Sequence, residues 1–530
     1  MKKYILFLVS IFALTSCSDF LDRAPGDALS PGTFWETEND AKLALTGCYR
    51  GFEDSWGVLY RDCASDNAYN FHRAEGYQAL GDGTMSPGDP GSTAIFSFIT
   101  IRKCNEFLEN IDRVNFRTEG LKTNYVAEVR FIRAYRYFLM TQWYGDIPLA
   151  TKTFTTPEEA RVGRDPRATV EDFVISELKE IAPSLAEKHS SSETGRIPRG
   201  AAQALLMRMY LFKGMYKEAI DAAKSVKGYD LFPSFEGLFL MSNRDNNGET
   251  ILQYEHVENN LSMDLTPFLP NSKGGWSSVV PLQSLVDNYE MADGLTIAEA
   301  KAIGKYNETN PYVNRDPRLR QTLIYPGQLW EGQIFSSIVR GNADHPTKEN
   351  NSTKSGYNFK KYFNNLEQFP SGFWNTGRSI ILFRYAEVLL GLAEAKIESN
   401  QLDTEMYDAL DKVRTRAGMP IVDRTKYNTQ AKLRELVRRE RRSEFAFEGL
   451  RRYDIIRWGL AHEVMNGDAL GCRQGTILDE ALPNGDRNLN LNEENFFVEK
   501  RKFADRNIFL PIPQSSIDKN NNLLPNNPGY

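Results

Sequence analysis

The stretch GAAQALLMRMYLFKGMYKEAIDAAKSV, residues 200–226, constrains the fold more than any other part of the chain. Apolar residues recur at three- and four-residue spacing on both sides of Lys213-Gly214, which reads as two helices joined by a tight turn. Alanines alternate with large side chains, and Tyr216, Ala219 and Ala223 carry the second helix. Small residues let two helix backbones approach closely, so this is the pattern of a tetratricopeptide-like helical hairpin. Residues 384–418, RYAEVLLGLAEAKIESNQLDTEMYDALDKVRTRAG, repeat the order of helix, polar turn, helix and glycine stop. The two copies are imperfect and far apart. That predicts one folded helical scaffold with large insertions, and not an open solenoid.

Further helices are expected from Ala41 to Phe52, capped by Asn39 or Asp40, over Ser97–Asn115, and over Asn124–Tyr144. In the last, Ala127, Phe131, Ala134, Tyr135 and Phe138 share one face. Residues 60–93 are rich in Gly, Asp, Asn and Pro and read as a long loop region, the kind that is usually functional. Residues 230–380 hold strand-like runs at Thr250–His256, Gln333–Arg340 and Phe359–Tyr362, and residues 461–530 read as loop-rich. The expected fold class is mainly α: a tetratricopeptide-like helical-pair scaffold with a loop-rich lobe containing short β segments.

The N-terminus sets the compartment. Lys2-Lys3 precede the apolar run Tyr4–Leu14. As a helix that run is roughly 16 Å long, about half a bilayer's hydrocarbon core, so it reads as a signal-peptide core and not as a span. Leu14-Thr15-Ser16-Cys17 then resembles a bacterial lipobox, in which Cys17 is lipidated and becomes the mature N-terminus. More than one acyl chain on such a cysteine anchors stably where a single chain does not. The expected divisions are a signal peptide at 1–16, a lipidated tether at 17–30 and the folded body at 31–530.

Cys48, Cys63, Cys104 and Cys472 remain, with no CxxC pair among them, which argues against a metal or thioredoxin-like site. Disulfides and free buried thiols both stay open, as does any pairing. A net charge of −6, with no basic stripe, argues against nucleic acid as a partner. No cofactor is called for. The acidic loops leave room for a structural calcium ion without spelling an EF-hand.

Eight stretches, in order, resemble the SusD-like (RagB/SusD) family of outer-membrane lipoproteins from Bacteroidetes. They are CSDFLD (17–22), FWETENDAKLALTGCY (34–49), AEVRFIRAYRYFLMTQWYGDIPL (127–149), RGAAQALLMRMYL (199–211), LFRYAEVLLGLAEAK (382–396), VRTRAG (413–418), RRERRSEFAFEGLRRYDIIRWG (438–459) and FLPIPQSSI with NNPGY (509–530). The resemblance implies scaffold segments at about 31–60, 95–228 and 380–460. It implies a variable ligand-binding lobe at about 60–95 and 230–380. It also implies a non-catalytic cell-surface glycan-binding protein, capturing oligo- or polysaccharide and delivering it to a partner TonB-dependent, SusC-like transporter. The same lid role for peptides or glycopeptides is the alternative reading, and a lipid-anchored glycan-degrading enzyme a more distant one.

A glycosidase needs two carboxylates about 5–10 Å apart. Glu440 and Glu444 share a helix face with Leu433, Leu436, Val437 and Phe447, where carboxylates are costly unless paired. They read as a buried ion-pair network, with Arg384, Arg414, Arg441 and Arg451 as natural partners. The five histidines are scattered, and no HExxH, GxSxG or phosphate loop occurs. Sugar binding needs aromatic faces for the C–H side of a ring and polar groups for its hydroxyls, held on loops. Two places fit. One is the segment Asp66–Arg73, with Asp66, Asn67, Tyr69 and Arg73 as candidate contacts. The other is Trp276, Trp330 and Trp374 with Tyr289 and Asn271; Ser272-Lys273-Gly274-Gly275 precedes Trp276, which can project from that turn. Trp35, Trp143 and Trp458 lie in helical blocks and are assigned to the core.

Overall fold

The computed structural model describes residues 34–530 except positions 94, 191, 192, 246 and 349. The signal peptide, Cys17 and the tether up to residue 30 lie outside the described residues.

The first described helix, α1 (Glu38–Tyr49), starts one turn earlier than the apolar pattern suggests. Thr37 is its cap, not Asn39 or Asp40: Thr37 Oγ1 accepts from Asp40 N at 3.2 Å, and the Asp40 carboxylate accepts from Thr37 N at 2.8 Å. That reciprocal pair satisfies amides that the first turn leaves free. Helix α2 (Ile99–Asn110) and the long α3 (Leu121–Tyr144) follow. Gly145, at φ 72°, ends α3 where an L side chain is disfavoured. Helix α4 (Arg167–Ile181) packs along α3, tied to it by Glu177, which pairs with Arg130 at 2.7 Å and Arg133 at 2.9 Å.

The first hairpin is α5 (Arg199–Phe212) and α6 (Tyr216–Ser225), and the second is α7 (Tyr385–Glu398) and α8 (Thr404–Arg416). Although far apart in sequence, they join: α6 and α5 both pack on α7. Gly391 shows how closely. A Cβ there would lie 2.6 Å from Met207 Sδ, so α7 meets α5 only through a glycine. Helix α9 (Gln430–Glu444) closes the other side of α7.

The lobe is built from loops, single turns and two-stranded sheets. Residues 60–93 hold more regular structure than their composition suggests, including β1 (Ala68–Asn70). Strand β2 (Thr250–Tyr254) pairs with β4 (Ile380–Arg384), and β1 pairs with β3 (Val279–Pro281), all antiparallel. The other two expected strands shrink to Gln333–Ile334 and Asn358–Phe359. The C-terminal part is more ordered than loop-rich: β5 (Gly467–Arg473) pairs with β8 (Asn495–Arg501), and β6 (Thr476–Ala481) with β7 (Arg487–Asn490). Cys48, Cys63, Cys104 and Cys472 are buried free thiols.

The Glu440–Glu444 face is a closed charge network. Arg318 reaches Glu440 at 2.6 Å and Glu444 at 2.9 Å, Arg384 reaches Glu444 at 2.6 Å, and Arg414 reaches Glu440 at 2.9 Å. Arg416 also pairs with Glu444. Arg441 and Arg451 are committed elsewhere, to Asp454 at 3.0 Å and Asp66 at 2.8 Å. Burial alone would raise the Glu444 carboxyl, but Arg416, Arg384 and Arg318 hold it well below the usual carboxylate range. Neither glutamate has an open face for a substrate; both are buried.

Candidate functional site

Three consecutive residues, Asp264-Leu265-Thr266, gather tryptophans from three separate segments, one a short helix and two of them loops. Asp264 O accepts from Trp56 Nε1 at 2.8 Å. Leu265 N donates to Phe373 O at 2.7 Å, which sets the neighbouring Trp374 in place. Thr266 O accepts from Trp276 N at 2.9 Å. These three are the tryptophans with the largest exposure among the described residues: Trp374 at 68%, Trp276 at 38% and Trp56 at 36%.

Local sequence explains each placement. Asp54 caps the short helix Ser55–Tyr60 by accepting from Trp56 N at 3.1 Å, so the indole leaves from a helix start. Gly274, at φ 80°, closes the turn Asn271–Lys273. A Cβ at Gly275 would sit 2.1 Å from Leu269 O, so only glycine lets the chain run against Leu269 and turn Trp276 outward. Behind the platform the space is filled with rings. Trp56 lies edge-on to Phe268 at 6.4 Å, Phe268 meets Phe359 at 5.7 Å, and Phe359 stacks on Phe447 at 4.1 Å. The Trp56 indole therefore rests on a packed base and cannot collapse inward.

Polar groups rim the rings. Asn259 N donates to Asn375 Oδ1 at 2.8 Å, and Asn375 Nδ2 returns a bond to Asn259 Oδ1 at 2.8 Å. Ser371 Oγ donates to Glu258 at 2.9 Å. Flat apolar faces bordered by amides and hydroxyls can stack on one side of a pyranose and bond its edge.

The other sequence-based candidates are placed differently. Asp66 is buried between Arg451 at 2.8 Å and Arg442 at 2.9 Å. Burial would raise its carboxyl, but these two guanidinium groups hold it down to about 2. Asn67 is buried, donating to Asp62 at 3.1 Å and accepting from Arg442 at 2.8 Å. Tyr69 is buried on β1 with Val280 and Leu282, its hydroxyl accepting from Gln78 at 2.9 Å. Tyr289 has no exposed surface at all, and Trp330 is buried too, with Lys273 Nζ 5.9 Å from its ring. All five are buried and held by these contacts, unlike the exposed tryptophans; Asp66 also lines a cleft with Leu282, Gln283 and Ser284. Arg73 is exposed but turns toward Asp82 at 3.6 Å and Asp89 at 3.8 Å, and Asn271 is tied by its amide to Ala343 O at 3.0 Å. Trp35 and Trp143 are buried, and Trp458 is half-buried with its Nε1 on Glu394 at 2.6 Å. Trp56 escapes sequence reasoning, since a single indole in a six-residue helix carries no periodic signal. Among the described residues, no three His, Cys, Asp or Glu side chains converge as a metal site.

A helical scaffold carrying an aromatic platform on its loop-rich lobe defines a class of surface binding proteins, and the comparisons give the family. Residues 236–530 match the SusD family, residues 19–211 match the family described as starch-binding associating with outer membrane, and residues 1–18 match the prokaryotic membrane lipoprotein lipid attachment site. The chain belongs to the SusD family. It is a lipid-anchored surface protein of the outer membrane, and no described helix is long and apolar enough to cross a membrane. SusD-like protein P2 of Formosa agariphila is 26% identical over the whole of both chains. The crystal structure of a SusD-like carbohydrate binding protein from Bacteroides fragilis is 30% identical, with a TM-score of 0.81 over 93% of this chain and 100% of that one. Surface glycan-binding protein A from Bacteroides thetaiotaomicron, solved with laminarihexaose, shares the fold at 18% identity, with a TM-score of 0.67 over 93% of this chain and 99% of that one.

Proposed function

We propose that this chain is a cell-surface glycan-binding lipoprotein that captures oligo- or polysaccharide on the Trp56–Trp276–Trp374 platform and passes it to a SusC-like, TonB-dependent transporter. The anchoring of three exposed tryptophans to Asp264–Thr266 carries the binding half of this reading. The transporter half rests on membership of the family and on the lipid anchor. Binding without turnover is supported by the carboxylates: the glutamate pair that could have suggested a glycosidase is sealed by arginines. A single stacked ring contributes modestly, so three rings along one ligand and many copies on one surface raise the effective affinity.

Calorimetry of the mature chain, made without its lipid, against plant, microbial and host polysaccharides and a peptide digest tests the binding half. Saturable binding to one glycan class, lost in the triple variant Trp56→Ala, Trp276→Ala, Trp374→Ala with no release of reducing ends, is the expected result. Binding to peptides alone would move the substrate class, and release of sugars would overturn the reading. Co-purification of an outer-membrane barrel with the anchored chain tests the transporter half.

A further inference from the structure

The two ends of the platform differ in charge. Beside Trp56 and Trp374 stand the carboxylates Asp54, Asp264 and Glu258. The Trp276 end is different. Lys273 precedes Trp276 by one turn, with its Nζ 3.4 Å from Gln333 Oε1. Phe71 N donates to Ser278 O at 3.1 Å, which brings the half-buried Phe71 ring to the same end. Lys354 Nζ stands 4.3 Å from the centre of that ring and donates to Lys348 O at 2.6 Å. The turn at 271–273 is bonded to the 340–348 loop, Ser272 N donating to Asp344 at 3.1 Å. Arg340 and Lys348 therefore border the same end, and both are exposed. Their proximity is felt at His345: burial, with the added charge of Arg340 and Lys348, holds its imidazole below the ordinary value.

Among the described residues, Lys273, Arg340 and Lys348 have no ion-pair partner. Two carboxylates stand at this end, and both are engaged within the fold: Asp344 is buried and accepts from the Ser272 amide, and Glu75 accepts from Ser278 Oγ at 2.9 Å and Asn70 Nδ2 at 2.6 Å. Cations elsewhere on the molecule are commonly paired, as Arg320 is with Asp486 at 2.9 Å and Lys426 with Glu299 at 2.6 Å. A chain with net charge −6 has carboxylates to spare, so an unpaired basic arc beside an exposed indole is a local departure from the surrounding field.

The geometry points to an anionic glycan: Lys273, Arg340 and Lys348 pair with the carboxylates or sulfate esters of a sugar chain whose ring stacks on Trp276. This rests on the glycan-binding reading and narrows its substrate class. Uronate and sulfate share the required chemistry, a fixed negative group beside a stackable ring. The acidic Trp56–Trp374 end orients the chain, since it repels the same groups and takes neutral sugar faces.

The test uses the unlipidated mature chain and matched pairs of probes. One pair is a sulfated galactan or glycosaminoglycan and its chemically desulfated form, and the other is a polyuronate and its carboxyl-reduced form. Laminarin and starch serve as neutral references. At low ionic strength the charged member of one pair should bind at least about tenfold tighter than its neutral counterpart, and salt should erase that margin. Which pair shows it names the anion. The variant Lys273→Ala, Arg340→Ala, Lys348→Ala should lose the margin, while its affinity for the neutral member and its melting temperature stay unchanged. Equal binding of charged and neutral members, or a margin unaffected by the triple variant, would overturn the inference and leave glycan binding standing. Binding of none of these glycans, or of peptides alone, would remove both.

Discussion

The α9 face and the tryptophan platform use the residue types of a carbohydrate-active site in opposite ways. On α9, Glu440 and Glu444 are buried, and each carboxylate meets at least two guanidinium groups. On the lobe, Trp56, Trp276 and Trp374 are exposed, and one short segment anchors them, through the Trp56 indole N–H, the Trp276 backbone and the Phe373 carbonyl beside Trp374. A carboxylate that has lost water must be paired, so a closed network does structural work and excludes substrate. An indole keeps a stackable face only where a rigid base stops it from burying itself; the Phe268–Phe359–Phe447 series provides that base under Trp56, and the close Gly275–Leu269 approach holds the turn that carries Trp276. Residue type is therefore a weaker guide to function here than what each side chain is held against.

The largest effect should come from breaking the closed network. Glu444→Ala strips a partner from Arg318, Arg384 and Arg416 at once and should cost about 3–5 kcal/mol of stability. Urea denaturation measures this. A fully stable Glu444→Ala protein would contradict the structural role and reopen a catalytic one. Trp143→Ala belongs in the same range, about 3–5 kcal/mol, because that indole is buried and its Nε1 donates to Tyr453 at 2.7 Å.

Acid should separate the regions next. Asp66 has its folded carboxyl lowered from 3.8 to about 2 by Arg442 and Arg451, against the opposing effect of burial. A lowered folded value gives stability that is present above about pH 4 and is lost as pH falls toward 2. The Asp66 share is about 2 kcal/mol. Unfolding free energy measured at pH values from 5 down to 2 should fall for the native chain and fall less steeply for Asp66→Asn. Parallel slopes would show that the Asp66 pairing is not what acid breaks.

Sequence patterning made the helical pairs legible, because apolar spacing and small residues are local signals. The hairpins at 199–225 and 385–416 lie within a few residues of their expected limits. The charge network was readable in kind but not in membership. Arg384, at the end of β4, and Arg414, on α8, flank or lie in the second helical pair, whereas Arg318 comes from a lobe helix of six residues that no periodicity announces. In the lobe, Trp276 was signalled by the two glycines before it, but Trp330 and Tyr289 share its composition and are buried. What separates them is contact across the loops, which a linear pattern does not carry. The strands β5–β8 escaped for a similar reason: runs such as GDALGCR are poor in β-branched residues and are ordered by their partners.

The smallest predicted changes are the most telling about the platform. Trp374→Ala removes the most exposed indole and should alter stability by less than about 0.5 kcal/mol, since an exposed side chain has little packing to lose. The same substitution should weaken glycan binding by about five- to tenfold, or roughly 1 kcal/mol, the value of one stacked ring. Gly275→Ala keeps every indole but drives a methyl into Leu269 O, so it should displace Trp276 and weaken binding without touching Trp374. If Trp374→Ala lowers the melting temperature as Trp143→Ala does, the ring belongs to the core and the platform loses a member. If binding falls while stability holds, the indole is there for the ligand. The partial loss in Gly275→Ala would then show that the loop geometry, and not the count of aromatic residues, sets the affinity.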